Sequence, residues 1–253
     1  MREEWITSRK NPLLVQIRRL ASSRGARRSA GMFLGDGVKL LEEALKWGAP
    51  LETVVYSEGL DGPELPPEVR TVRVPEDVMA SISPMESPQG ALFLCRMWDT
   101  APPPRLEGGR YLVLDGLQDP GNVGTIWRTA DALEADGLLL VHGCADPFGP
   151  KVVRATMGAC FRLPVWETGP ERLADLLERS GLALYATALR EDTEDIKTAD
   201  LSRSAVVIGS EGRGVSPELL AMSQRALKIP MRERCESLNA AAAAAVVLWE
   251  MGR

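Results

Sequence analysis

From residue 111 onward the sequence alternates short, unbroken apolar runs with segments of helical character, and few architectures accept that pattern. The runs occupy 111–114, 137–141, 182–186, 205–208 and 226–229, and helical segments follow or separate them at 123–133, 151–160, 171–179, 217–222 and 238–251. Strands that are apolar on both faces belong to a mostly parallel sheet covered by helices on both sides. Ligands of such sheets bind beyond the carboxyl ends of the strands, so the loops that follow strands are the places to look for chemistry.

The front of the chain has a different texture. Helices are expected at 11–21 and 37–47, a β-branched strand at 53–56, a short helix at 75–80 and a strand at 91–95, with turns at Pro50, Asp61-Gly62-Pro63 and Pro66-Pro67. The stiff segment Ala101-Pro102-Pro103-Pro104-Arg105 has the character of a linker. The expected organisation is a small α/β domain over 1–98, a linker over 99–108, and the α/β domain with the parallel sheet over 109–253.

Composition narrows the function. No apolar run is long enough to span a membrane, and Arg2, Glu3 and Glu4 make the start too charged for a secretory segment, so a cytoplasmic protein is expected. Cys95, Cys144, Cys160 and Cys235 form no Cys-x-x-Cys pair, and His142 is the sole histidine, so neither a metal site nor histidine-based catalysis is expected. His142 itself reads as a structural residue at a strand end. The net charge of -5 opposes non-specific nucleic-acid binding by the whole chain, but cations crowd the first thirty residues. Arg9, Arg18, Arg27 and Arg28 are the candidate phosphate contacts there; a solvated basic helix face is the competing explanation.

Three segments carry the chemistry. In the first, Asp115-Gly116-Leu117-Gln118-Asp119-Pro120-Gly121-Asn122-Val123-Gly124 links a strand to a helix on which Arg128 stands among apolar residues, with Asn122 as a candidate cap. The second, Gly209-Ser210-Glu211-Gly212-Arg213-Gly214, follows a buried strand and allows close backbone approach to a ligand. Its glycines do not follow the Gly-x-Gly-x-x-Gly order, which disfavours a dinucleotide-dependent oxidoreductase. In the third, Ile229-Pro230-Met231 ends a strand and Ser237-Leu238-Asn239 opens the last helix, with Ser237 as the expected cap.

The order and content of these segments resemble the SpoU (TrmH-like) group of the SPOUT methyltransferases. The match rests on Asn122, Gly124 and Arg128, on Gly209 to Gly212, and on Ile229-Pro230-Met231 with Ser237-Leu238-Asn239. More loosely, Asn11-Pro12, Phe33 with Gly37, and Pro88-Gln89-Gly90 resemble the substrate-binding domain, related to the ribosomal protein L30e fold, that often precedes this catalytic domain. Glu233 stands where the group usually has glycine, and Ala241 where it has serine.

The resemblance implies a trefoil knot, a homodimer, and S-adenosylmethionine as the donor in methylation of an RNA ribose 2′-hydroxyl. Ribosomal RNA is the expected substrate; transfer RNA, or a non-catalytic RNA-binding role, is the alternative. It also implies site residues: Thr187, Ala188, Gly209, Glu211, Gly212, Ile229, Met231 and Leu238 around the cofactor, and Asn122, Arg128, Glu211, Ser237 and Asn239 in catalysis. Guanidinium normally stays protonated, so Arg128 is either a base activated by a nearby phosphate or a fork that grips the phosphate.

Overall fold

The computed structural model describes residues 4–190, 192–232 and 237–253. It separates into two compact units, one comprising Met1–Trp98 with Asp146–Phe161, the other Asp99–Ala145 with Arg162–Arg253.

The first unit runs β1 (Glu4–Trp5), α1 (Pro12–Ser22), α2 (Arg24–Ala30), β2 (Met32–Asp36), α3 (Val38–Lys46), β3 (Leu51–Ser57), β4 (Arg70–Val74), α4 (Glu76–Ile82) and β5 (Ala91–Arg96). Among the described residues its sheet has the order β1-β4-β3-β5-β2, antiparallel at the β3–β5 and β5–β2 pairs and parallel elsewhere. The start of α1 follows from its sequence: the Asn11 side chain accepts from Leu13 N, Pro12 occupies the first turn, and Leu13, Leu14, Ile17 and Leu20 form a buried stripe at helical spacing.

The second unit begins with β6 (Arg110–Asp115), α5 (Pro120–Ala132) and β7 (Gly137–Val141). The next segment, Asp146–Phe161 with α6 (Pro150–Ala155), belongs to the first unit, although it was expected to fall within the 109–253 domain. The reason is side-chain pairing that local periodicity does not reveal. Asp146 Oδ2 lies 2.7 Å from the buried Arg27 guanidinium, and the Phe148 ring packs 5.3 Å from Phe33 and 4.7 Å from Trp98.

The second unit resumes with β8 (Val165–Glu167), α7 (Pro170–Ser180), β9 (Ala183–Thr187), β10 (Glu194–Asp195), β11 (Ser204–Gly209), α8 (Pro217–Met222), β12 (Arg225–Lys228) and α9 (Ala240–Met251). Among the described residues its sheet is parallel throughout, in the order β10-β12-β9-β11-β6-β7-β8. Alternate residues of the central strands serve two different cores. Val113, Leu139 and Val207 join Leu173, Leu177 and Leu219 from α7 and α8, while Leu112, Leu138 and Val206, pointing the other way, are equally buried. On that side α5 packs against α9 and β7, and α9 against β11. Each fully buried Val or Leu contributes about 1.5–3 kcal/mol, so both faces need their helices. Trp127 anchors α5, fully buried with its indole N–H donating to Leu163 O at 3.0 Å.

Candidate active site

The loops leaving β12, β9 and β11, three neighbouring parallel strands, enclose a cavity of about 280 Å³ at the carboxyl edge of the sheet. Thr187, Ala188, Gly209, Ile229, Met231 and Leu238 line it, all of them expected there from sequence. The β9 loop is fixed by Ala188 N donating to Leu227 O at 2.9 Å and by the Thr187 hydroxyl donating to Val207 O at 2.8 Å.

The glycine loop after β11 has a defined shape. Ser210 N donates to Gly214 O at 3.1 Å and Gly214 N to Ser210 O at 2.8 Å, so the loop closes on itself with Glu211-Gly212-Arg213 at its tip. A Cβ on Gly209 would lie 2.1 Å from the carbonyl carbon of Gly214, so no other residue fits without moving backbone. Gly212, expected at the cofactor, lines a neighbouring cleft of about 810 Å³ that shares Ser210, Glu211 and Gly214 with the cavity.

At the mouth of the cavity three distant side chains converge. Asn122 Nδ2 donates to Glu211 Oε1 at 2.7 Å, and Asn239 Nδ2 donates to the same oxygen at 2.9 Å and to Asn122 Oδ1 at 3.1 Å. Asn122 comes from the first turn of α5, Glu211 from the glycine loop, and Asn239 from the start of α9. Glu211 Oε2 has no hydrogen-bond partner among the described residues.

Two cap assignments differ from the sequence reading. Asp119 caps α5, accepting from Asn122 N at 2.7 Å, so the Asn122 side chain is free for Glu211. Asn239 caps α9, its Oδ1 accepting from Ala241 N and Ala242 N at 2.9 and 3.3 Å, while its Nδ2 faces the cluster. Ser237 is therefore not the cap; it lines the cavity. The Ala241 backbone is satisfied by that cap, and Glu233 lies outside the described residues.

The cavity suits S-adenosylmethionine. Among its described lining residues Glu211 is the one charged group and none is a cation that could receive a phosphate, whereas a sulfonium beside Glu211 is electrostatically matched. The remaining walls are apolar side chains and loop backbone, which fit adenine and its ribose.

Residues 109–249 match the model of the SpoU rRNA methylase family, and residues 11–92 match the MRM3-like substrate binding domain. The chain belongs to the SpoU rRNA methylase family. It is 33% identical to the 23S rRNA (guanosine(2553)-2′-O)-methyltransferase RlmP of Bacillus subtilis, over 97% of this chain and 98% of that one. The AdoMet-bound rRNA methyltransferase from Sinorhizobium meliloti superposes with a TM-score of 0.86 at 30% identity, covering 98% and 97% of the two chains. AviRb from Streptomyces viridochromogenes, solved in complex with AdoMet, gives 0.82 at 28% identity over 96% and 97%.

Against this SpoU framework, Arg128 stands apart. It is exposed on α5, it does not line the cavity of its own chain, and it has no hydrogen-bond or ion-pair partner among the described residues. The proposed RNA contacts in the first unit divide. Arg27 is a correction: it is 5% exposed, its guanidinium held by Asp146 and by Leu20 O, because α2 packs it inward. Arg9 is exposed and pairs with Asp77 at 2.7 Å, Arg18 donates to Arg9 O, and Arg28 stacks over Phe148.

Sequence reasoning missed Asp115 and Leu189. Asp115 is 4% exposed at the end of β6 and accepts from Ser216 N at 2.6 Å, and a lone carboxylate closing an apolar strand was its signal. Leu189 lines the cavity, and nothing in its sequence context marks it.

Proposed function

We propose that this chain transfers a methyl group from S-adenosylmethionine to a ribose 2′-hydroxyl of ribosomal RNA. The observation that carries this reading is the convergence of Asn122, Glu211 and Asn239 at the mouth of a cavity with no cation among its described lining residues. The ribosomal substrate is supported by the names of relatives such as RlmP.

When bound, S-adenosylmethionine supplies an electrophilic methyl carbon on a sulfonium. The protein's work is then positioning, since the attacking oxygen must sit in line with the bond that breaks. Backbone of the β9, β11 and β12 loops would hold the adenosine, and the two amides would keep Glu211 turned toward the sulfonium. Arg128, exposed and unpaired among the described residues, has its five donors available for a phosphate next to the target ribose, which favours the clamp over the base.

The same reading includes a homodimer, because Arg128 needs a cavity to act on and its own chain's is elsewhere. Ala242, Ala245, Val246 and Trp249 form an apolar stripe at helical spacing on α9, with Trp249 63% exposed. A trefoil knot formed by the last strands and helix, and a cytoplasmic location alongside ribosomal RNA, complete the proposal.

Calorimetry with S-adenosylmethionine, followed by methyl transfer to ribosomal and transfer RNA in parallel, tests it. Binding with transfer to ribosomal RNA supports the reading. Binding with transfer only to transfer RNA corrects the substrate, and no binding leaves a non-catalytic RNA-binding protein.

A further inference from the structure

The chain's single histidine sits beside the glycine loop, and no step described so far uses it. His142 follows β7 directly and holds a left-handed backbone, φ 54°, a conformation uncommon outside glycine that Asn, Asp and His adopt more often than other residues. Its ring bridges two carboxylates: Nδ1 is 2.6 Å from Asp115 Oδ1, and Nε2 is 3.3 Å from Glu218 Oε2 on the first turn of α8.

Asp115 links this bridge to the cofactor loop. Its other oxygen accepts from the backbone N–H of Ser216, two residues past the loop closure at Gly214, and Ser216 caps α8. In register, Asp115 lies opposite Gly209 of β11 on one side and Val141 of β7 on the other. One buried carboxylate therefore ties down the far end of the loop that presents Glu211. Neutralising that carboxylate falls to His142, and no other side-chain cation pairs with it among the described residues.

We propose that protonated His142 is a positioning residue: by bridging Asp115 and Glu218 it holds the 209–216 loop in its cofactor-binding shape, so affinity for S-adenosylmethionine falls when the ring loses its proton. The ring needs both N–H groups to serve both carboxylates, and a neutral imidazole has only one. If Nδ1 keeps its hydrogen on Asp115, the Nε2 lone pair faces Glu218, and attraction becomes repulsion. Asp119, Glu211 and Arg213 line the same cleft and set its field.

The hydrogen bond to Asp115 is the largest influence on the ring, raising its pKa above the ordinary 6.5; partial burial opposes this, and Glu218 adds to it. The sign follows. A raised value means the bridge is complete below 6.5 and is lost as pH rises through the folded-state value.

The inference rests on S-adenosylmethionine being the cofactor, so binding is first measured by calorimetry, from pH 6 to 9. The ring signals of the one histidine are then titrated by NMR with and without saturating S-adenosylmethionine, in the wild type and in Glu218→Gln. His142→Asn accompanies them in calorimetry, since asparagine accepts the left-handed backbone and keeps a donor for Asp115 without titrating. The expected result is a midpoint above 6.5 that S-adenosylmethionine raises by about half a pH unit, matched by linkage to an about threefold weaker Kd at high pH. Glu218→Gln lowers the midpoint, and His142→Asn shows a flat Kd. A midpoint unmoved by the cofactor, or a His142→Asn Kd that follows the wild-type pH curve, overturns the positioning role. No binding at any pH overturns the cofactor reading and this one with it.

Discussion

The amide of Asn239 reaches Glu211 Oε1 at 2.9 Å while the same side chain's oxygen caps α9, so one residue both starts the last helix and orients the carboxylate at the cavity mouth. Asn239→Asp removes the donor and keeps the cap. The expected outcome is an unchanged melting temperature with turnover lowered by about 10²-fold, the cost of misplacing a reacting group by roughly 1 Å. Parallel thermal melts and single-turnover methyl transfer check it.

Glu211→Ala leaves two amides without their shared acceptor at an exposed site. Stability is expected to change little, whereas affinity for S-adenosylmethionine falls because the cavity loses its one charged residue among those described. Raising the salt concentration is expected to narrow the gap between wild type and variant, since exposed charges are screened. Calorimetry at low and high salt provides the comparison.

How far these residues can be read from sequence depends on whether the signal is local. Strands β6, β7, β9 and β11 are continuous apolar runs, and each was expected close to where it lies. Strands β1, β2, β4, β8 and β10 were not, because they carry no unbroken apolar run and acquire strand geometry from their neighbours in the sheet rather than from their own pattern. The cavity residues were found through resemblance to ordered motifs. Their convergence was not legible, since Asn122 and Glu211 are 89 positions apart. His142 looked like an ordinary strand end because both of its carboxylate partners come from other strand-helix connections.

Gly209→Ala tests the close approach within the loop. With a Cβ 2.1 Å from the backbone of Gly214, the loop must open, at an expected cost of about 1–3 kcal/mol. Binding of S-adenosylmethionine is expected to suffer with it. Urea unfolding and calorimetry on the same preparation measure both.

Arg27 and Arg9 are both basic residues near the start, yet their removal is expected to do different things. Arg27→Ala removes the buried partner of Asp146, itself 9% exposed, leaving it Arg24 and Arg28 at 4.0 Å, and is expected to destabilise the protein by about 1.5–3 kcal/mol. Arg9→Ala breaks an exposed pair and is expected to cost less than about 1 kcal/mol. Denaturant midpoints separate the two.

Arg128 lines no part of its own chain's cavity, so Arg128→Ala and Arg128→Lys are expected to bind S-adenosylmethionine as the wild type does. Both are expected to lower kcat/KM for RNA, the lysine variant included, because a point charge cannot replace the planar fork. Near-normal turnover in both would remove Arg128 from the reaction.

The most direct test is to incubate the protein and methyl-labelled S-adenosylmethionine with ribosomal RNA from cells lacking its gene, then hydrolyse the RNA in alkali. A methylated 2′-oxygen cannot attack its neighbouring phosphodiester, so the label is expected in an alkali-resistant dinucleotide from one position. Label released with single nucleotides, or no label despite bound S-adenosylmethionine, would contradict ribose methylation of ribosomal RNA.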